Sequence, residues 1–456
     1  MRGISTSRLN NAVLAHGRTV GVSLIAAWVG LLAGQATANA KDPIAQILQQ
    51  KGSAEWSDGF DSGARGAADV PTSTPILSPA ILEATGRAIE QYSDIVTRGG
   101  WPTVPADRKL HIGMKGPAVA ALRERLIIGG DLDAATGASD IFDSYVEAAV
   151  RRFQARHGLP ADGVVSDSSF AAMNIPAAVR LNQLSTNLTR LKGLIGKAAP
   201  RFVMVNIPAA QVEAVEQGQV VSRHTAIVGK VDRPSPMVNS KIFEIKFNPY
   251  WTVPASIIKK DLIPKMQADP QYTTKFHIRI YNQQGQELQP DQIDWNTDEA
   301  TKYMFREDPG DTNSLGLVKI DFYSKDGVYM HDTPQKGLFN DEYRFDSSGC
   351  VRIQNIRELI TWLLRDTPGW DASAIEEMFK NGQRLDVKLS QQVPVYWVYV
   401  TAWAVSDGIV NFRNDIYGLD GLEQFASATA DNGPPQQPQP LTPPAPIGVV
   451  QPVKSN

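Results

Sequence analysis

The chain has 456 residues, of which 42 % are hydrophobic and 20 % charged; this is a globular composition on a length suited to two or more domains. A formal net charge of −3 argues against nucleic acid as a partner, because a phosphate footprint needs clustered Lys and Arg. One cysteine and six scattered histidines without an HExxH pattern exclude an intramolecular disulfide and a cysteine-rich metal or iron–sulfur centre, so neither a metal nor a cofactor is expected.

Arg2, Arg8 and Arg18 accompany an apolar run from Val20 to Ala33, followed by Ala38-Asn39-Ala40. This is the pattern of a secretory signal, residues 1–40, cut after Ala40. The run holds 14 residues, short for the roughly 20 that span a bilayer, so a retained anchor is the weaker reading. Removing the three arginines takes the net charge from −3 to −6. The expected compartment is the periplasm. Exported proteins use cysteine in pairs, so a lone Cys350 is either a small buried hydrophobe or a reactive thiol.

Residues 41–106 read as an N-terminal scaffold, irregular until Ser78-Pro79 opens a helix with Leu82, Ile89, Tyr92 and Val96 on one face. Residues 107–177 read as a three-helix unit with Val119, Leu122 and Leu126, then Val146, Val150 and Phe153, then Phe170 and Met173 turned inward. Residues 178–200 form a connector helix with a seam of Leu181, Leu184, Leu188, Leu191 and Ile195. From 201 to 425 the texture is mainly β: Phe202–Pro208 and Thr225–Gly229 read as strands, and Phe243–Phe247 and Leu317–Phe322 alternate as half-buried strands do. Within it, Ala255 to Arg306 is polar, helix-prone and poor in β signals, a helical insertion of the kind that serves as a lid. Ile356, Leu359, Ile360, Leu363 and Leu364 mark an amphipathic helix, and Val393–Val405 reads as one long strand turned by Ser406-Asp407-Gly408. Residues 426–456 are a Pro/Gln-rich tail; its last 24 residues hold 8 prolines and one charge, too little apolar surface for a core.

The chemistry concentrates between Tyr329 and Arg352. Cys350 follows Ser347-Ser348-Gly349, and His331 stands 19 residues upstream at a strand end. Gly349 permits a close approach of backbone or substrate, and successive N–H groups at Ser348, Gly349 and Cys350 could form an oxyanion hole. An imidazole beside a thiol takes its proton and stabilises the thiolate. Asp332 points to the opposite strand face from His331 and is structural. Arg352 either binds a substrate carboxylate or braces the box. Tyr329 shares the face of His331 and lines the pocket, whereas Trp251 is expected in the core.

These residues resemble the L,D-transpeptidase family in its long, multidomain Gram-negative form. The resemblance rests on His331 followed by Ser347-Ser348-Gly349-Cys350-Val351-Arg352, on RPSP (Arg233 to Pro236), FNPYWTVPASI, PGDTNSLGLVK and YVTAWAVSDGIVNFRNDIYG. Residues 107–177 likewise resemble the three-helix peptidoglycan-binding domain of cell-wall enzymes, for which a packing role alone is the rival reading. The short members' Ser-His-Gly-Cys is replaced here by Ser-Ser-Gly-Cys, which leaves His331 as the nearby base. The resemblance implies catalytic Cys350 and His331, with the imidazole oriented by a backbone carbonyl, and Ser348, Gly349, Arg352 and Tyr329 around oxyanion and substrate. It implies attack on the L-centre carbonyl of meso-diaminopimelate in a peptidoglycan stem peptide, loss of D-alanine, and a thioester resolved by an amine to give a 3-3 cross-link, with carbapenem-type β-lactams acylating the same thiol. An amine on an outer-membrane protein is the alternative acceptor, and cell-wall synthesis proteins are further expected partners. A non-catalytic wall-binding scaffold and a hydrolytic cysteine peptidase are the rivals from other classes.

Overall fold

A computed structural model describes residues 72–405 and 408–421. The expected signal, the scaffold up to residue 71, the Ser406-Asp407 turn and the Pro-rich tail lie outside the described residues.

Helix α1 (Pro79–Thr97) begins where expected: the Ser78 side chain accepts from Ile81 N at 3.4 Å, with proline in the first turn. Its buried stripe is Ile81, Ala84, Thr85, Ala88 and Tyr92. The anticipated stripe, Leu82, Ile89 and Val96, lies at the edge, because Thr85 turns inward to accept from Ala404 N at 3.0 Å. Helices α2 (Pro117–Ile128), α3 (Ser144–Arg156) and α4 (Asp167–Met173) make the three-helix unit, and every inward residue named for it from the sequence is buried in one core.

Helix α5 (Ala177–Ile195) departs from a leucine seam. Its buried face is Arg180, Gln183, Leu184, Asn187 and Leu191. The cause lies in the partner segment. The long C-terminal strand breaks into β13 (Leu385–Val398) and β14 (Ala402–Ala404), and the freed backbone groups between them need polar partners. Asn187 accepts from Thr401 N at 2.9 Å, Gln183 donates to Arg413 O at 2.9 Å, and Asn206 both accepts from Val400 N (3.1 Å) and donates to Val400 O (2.9 Å). β14 then pairs with β15 (Val410–Phe412).

The mainly β domain is one sheet that returns on itself. Strands β1 (Arg201–Asn206), β2 (Gln211–Glu216), β3 (Gln219–Gly229), β4 (Val238–Phe247), β9 (Val318–Phe322), β10 (Met330–His331), β11 (Phe345–Ser347), β12 (Val351–Ile353) and β13 run in the order β11-β3-β12-β10-β9-β4-β13-β1-β2. β3 also pairs with β2 through its first half, which closes the ring and leaves only the short β11 at an edge of this sheet. One sheet face carries Val203, Ile245, Ile320, Met330, Val351 and Val395 into a single core, covered by α9 (Ile356–Leu364), whose five aliphatic residues are all buried, and by α10 (Ala372–Asn381). Truncating Leu359, fully buried there, to alanine costs about 2–5 kcal/mol.

The insertion differs from the purely helical expectation. It opens with a helical run, α6 (Ala255–Ile257), a π turn (Ile258–Leu262) and α7 (Ile263–Ala268), then α8 (Tyr272–Lys275). Strands β6 (Ile278–Tyr281), β7 (Glu287–Leu288) and β8 (Met304–Glu307) follow and join β5 (Trp251–Thr252) in a separate sheet, β5-β8-β6-β7. It owns a core, with Ile258, Leu262, Met266, Ile280 and Phe305 buried together. Ile278-Arg279-Ile280-Tyr281 alternates as a strand should, but over only four residues.

Candidate active site

Strand pairing brings the sequence-predicted residues together. β10 runs parallel to β12 with His331 opposite Arg352 and Met330 opposite Val351; β9 runs antiparallel with Lys319 opposite His331. Period two then divides the residues. Met330, Val351 and Ile320 point into the core, and Tyr329, His331, Lys319, Cys350 and Arg352 share the other face. Over that face lies a cleft of about 770 Å³, whose wall includes Tyr329, His331, Ser348, Gly349, Cys350 and Arg352. The insertion supplies the facing wall through Pro254, Ser256, Ile257, Lys260, Asp261, Leu262, Lys265 and Tyr272.

Cys350 ends a tight turn between β11 and β12. Gly349 has φ +111°, and a Cβ built there would meet only ordinary contacts at 3.5 Å. Glycine is therefore required by the left-handed backbone, and the close-approach expectation is corrected. The turn is pinned from within, Ser347 Oγ donating to Cys350 O at 2.5 Å and accepting from Gly349 N at 3.1 Å. It is also pinned from outside. Ser235 Oγ donates to Gly349 O (2.8 Å) and accepts from Gly229 N (2.9 Å), while Tyr417 Oη donates to Gly229 O (2.6 Å). Since Gly349 N–H is held by Ser347, it leaves the set expected for the oxyanion; Ser348 and Cys350 N–H remain.

His331 is buried and its Nδ1–H donates to the carbonyl of Asp332 at 2.5 Å. The backbone carbonyl fixes the tautomer and leaves Nε2 as the acceptor. The Asp332 carboxylate looks elsewhere, to Leu317 N (3.0 Å) and Lys336 Nζ (2.6 Å), as its opposite-face position required. Burial, with Arg352 next and Lys319 also contributing, pushes the His331 imidazole down to about 3. Burial pushes the Cys350 thiol up to about 11, against the pull of Tyr329, Lys319 and Arg352. Burial thus favours the neutral thiol and the neutral imidazole over the ion pair.

Tyr329 stands edge-on to His331, ring centroids 5.6 Å apart, with Lys319 Nζ 4.1 Å above its ring. Trp251 Nε1 donates to Tyr329 Oη at 2.8 Å and the indole lines the cleft, so Trp251 belongs to the site, contrary to expectation. Arg352 is only loosely paired, 4.0 Å from Asp346, and its buried Nη1 has no hydrogen-bond partner. Arg233, the first residue of RPSP, carries no site role that its motif alone reveals. Its guanidinium binds Asp261 of the insertion at 2.5 Å and Ser348 Oγ at 2.9 Å, tying insertion, RPSP loop and cysteine turn at one point.

Comparison with known proteins gives the class. Residues 200–370 match the L,D-transpeptidase catalytic domain (YkuD) family, and residues 115–173 match the "Putative peptidoglycan binding domain" family. The chain therefore carries an L,D-transpeptidase catalytic domain, with a peptidoglycan-binding-type domain ahead of it. A curated relative from Haemophilus influenzae, described as a "Putative L,D-transpeptidase", is 35 % identical over 266 residues, 57 % of this chain and 53 % of the relative. The chain thus matches about half the length of that relative. Among solved structures, an L,D-transpeptidase from Xylanimonas cellulosilytica aligns at 17 % identity and TM-score 0.22 over 64 % of this chain and 99 % of its own. One from Stackebrandtia nassauensis aligns at 14 % and 0.23 over 65 % and 97 %.

Proposed function

We propose that the protein is an exported L,D-transpeptidase that forms 3-3 cross-links in peptidoglycan through a thioester on Cys350. The observation that carries this reading is the shared sheet face that gives Cys350, His331 and Arg352 to one cleft. His331 Nε2 takes the thiol proton as sulfur attacks the L-centre carbonyl of meso-diaminopimelate in the donor stem. Charge on the carbonyl oxygen is met by the N–H groups of Ser348 and Cys350. Collapse breaks the amide to D-alanine, whose amine receives the proton from His331. An acceptor amine then attacks the thioester, giving its proton to His331 as the C–S bond breaks and the thiol is restored. The loosely paired Arg352 suits the carboxylate of the donor stem. Export to the periplasm is supported by the basic, apolar and A-x-A order of residues 1–40.

A protein amine as acceptor uses the same steps. Cys350→Ser keeps the volume but removes the accessible anion, so cross-linking should fall by about three orders of magnitude or more with folding retained. Muropeptide analysis of cells carrying the wild-type or serine protein reads this. Equal 3-3 cross-linking by the serine protein would overturn the assignment, and a product on a protein amine alone would select the alternative acceptor.

A further inference from the structure

The acidic residues around the cleft are not equivalent. Asp261 is held by Arg233, Asp346 by Lys230 at 3.1 Å, and Asp326 is exposed. Glu307 is different: it is buried, lines the same cleft, and among the described residues no lysine or arginine pairs with it. It sits on β8 opposite Trp251 on one side and Ile278 on the other, a row of three that all face the cleft. Trp251 in turn reaches Tyr329, which flanks Cys350. The Glu307 carboxylate accepts from Ser314 N (2.6 Å) and Ser314 Oγ (2.9 Å) and from nothing charged. Lys265 is the cation that faces it, and its ammonium is committed to Tyr272 Oη at 2.9 Å. The neighbouring Arg306 turns to the opposite face onto Tyr250 and Tyr281, and Asp308 is held by Arg279.

We propose that Glu307 is the acceptor-site residue, binding the alkylammonium of the incoming side-chain amine in the cleft and removing its first proton before the amine attacks the Cys350 thioester. This rests on the transpeptidase reading above. A primary amine is protonated at neutral pH and an ammonium has no lone pair for attack, so some group must take a proton before transfer can begin. The Cys350–His331 couple is neutral at that stage and is engaged in expelling sulfur. In the step, R–NH₃⁺ passes one proton to the carboxylate, giving R–NH₂ and the carboxylic acid. The C–N bond then forms, the second proton goes to His331 and on to the departing sulfur, and Glu307 returns its proton to solvent. A carboxylate buried without a cation is costly unless a cationic ligand completes it. Burial raises the Glu307 carboxyl to about 7, against the pull of Ser314 and Lys265, which suits a group that exchanges a proton at neutral pH.

The test separates the half-reactions in the full-length protein. Acyl-enzyme formation on Cys350 is followed by mass spectrometry with a tetrapeptide-stem donor. Transfer is then measured to two acceptors: a diaminopimelate-containing tripeptide stem, an ammonium at pH 7, and hydroxylamine, neutral at pH 7. In Glu307→Gln, transfer to the tripeptide amine should fall about tenfold or more and transfer to hydroxylamine should stay within about twofold, with the acylation rate likewise preserved. Ser314→Ala removes one of the hydrogen bonds that hold the Glu307 carboxyl down, so amine transfer should persist with its pH profile moved upward. If Glu307 only braces the Ser314 loop, both variants lose transfer to both acceptors equally, and that result overturns the proposal. So does undiminished amine transfer by Glu307→Gln. Should that variant not fold, Glu307→Asp is read by the same ratio of the two acceptors. Absence of any acyl adduct on wild-type Cys350 would instead bring down the reading on which this rests.

Discussion

The neutral resting pair makes a prediction that an assembled thiolate–imidazolium couple would not. Burial holds the Cys350 thiol near 11, about two units above an ordinary cysteine. At pH 7 its thiolate fraction is then about one in ten thousand, some hundredfold below that of an exposed thiol. The more basic thiolate is intrinsically more nucleophilic by about tenfold for a two-unit rise. The net expectation is alkylation by iodoacetamide about tenfold slower than free cysteine at pH 7. The rate should climb about tenfold per pH unit from 6 to 9.5 without a plateau. His331→Ala should leave this profile in place, because the imidazole, itself held down to about 3, puts no charge on the thiol.

Acylation is a different event, since there His331 takes the proton as sulfur attacks. The wild-type rate with a carbapenem or donor stem should be nearly flat between pH 5 and 9, where neither group titrates. It should fall by about 10²–10⁴ in His331→Ala. Stopped-flow acylation and timed alkylation with intact-mass readout measure the two curves on the same preparation. A plateau in alkylation below pH 8 that disappears with His331→Ala would refute the reasoning, because it would require a standing ion pair.

Arg233→Ala or Asp261→Asn cuts the tie between insertion and cysteine turn, a partly buried contact worth about 1–2 kcal/mol; hydrolysis of the donor should rise relative to transfer, and an unchanged ratio would count against the insertion as a water-excluding lid. His157, His224 and His331 are buried with lowered pKa values, His224 at about 4, in each case chiefly by burial. The unfolded chain binds these protons below about pH 6.5 and the folded one does not, so stability is full above that pH and falls as pH drops toward 4, by up to about 4 kcal/mol per unit; urea midpoints for wild type and His224→Gln check whether the slope loses one proton. Arg156→Met strands Asp131, its partner at 2.6 Å in a buried pair, and should cost about 3–5 kcal/mol, most of it recovered in Arg156→Met/Asp131→Leu.

Much of the fold was legible because its signals are local. The Ser78 cap, the inward residues of α2 to α4 and the stripe of α9 all follow from period and capping within one element. Cys350 and His331 stood out because a lone thiol after Ser-Ser-Gly, with a histidine at a nearby strand end, is chemically unusual. The residues that hold them were less visible. Ser235 reaches the cysteine turn from 114 residues away, and Tyr417 braces Gly229 from 188 residues away, a closeness created only when β3 closes the sheet ring. The leucine row on α5 misled because its true face answers backbone groups freed by a strand break that no apolar count reveals. Glu307 ends a four-residue strand directly after the segment read as a helical insertion, so neither its burial nor its lack of a cation could be seen.

The arrangement of charge on the site face explains which ionic form the cleft favours. Lys246 binds both Glu244 (3.2 Å) and Asp321 (3.1 Å), and Lys319 binds Asp321 at 2.8 Å, so the acids at the far end of the row are already neutralised. Toward Cys350 the row ends in cations, Lys319 beneath Tyr329 and the loosely paired Arg352. Both lower the thiol and both lower the imidazole. They therefore favour an anion on sulfur or carbonyl oxygen and disfavour a cation on His331. Such a field stabilises the tetrahedral oxyanion while making the imidazolium a strong acid, ready to pass its proton to the leaving amine. The same field would repel an incoming ammonium. An acceptor that arrives charged needs a separate anionic stop on the opposite wall, and Glu307, across the cleft on the insertion's own sheet, is the buried acid the fold places there.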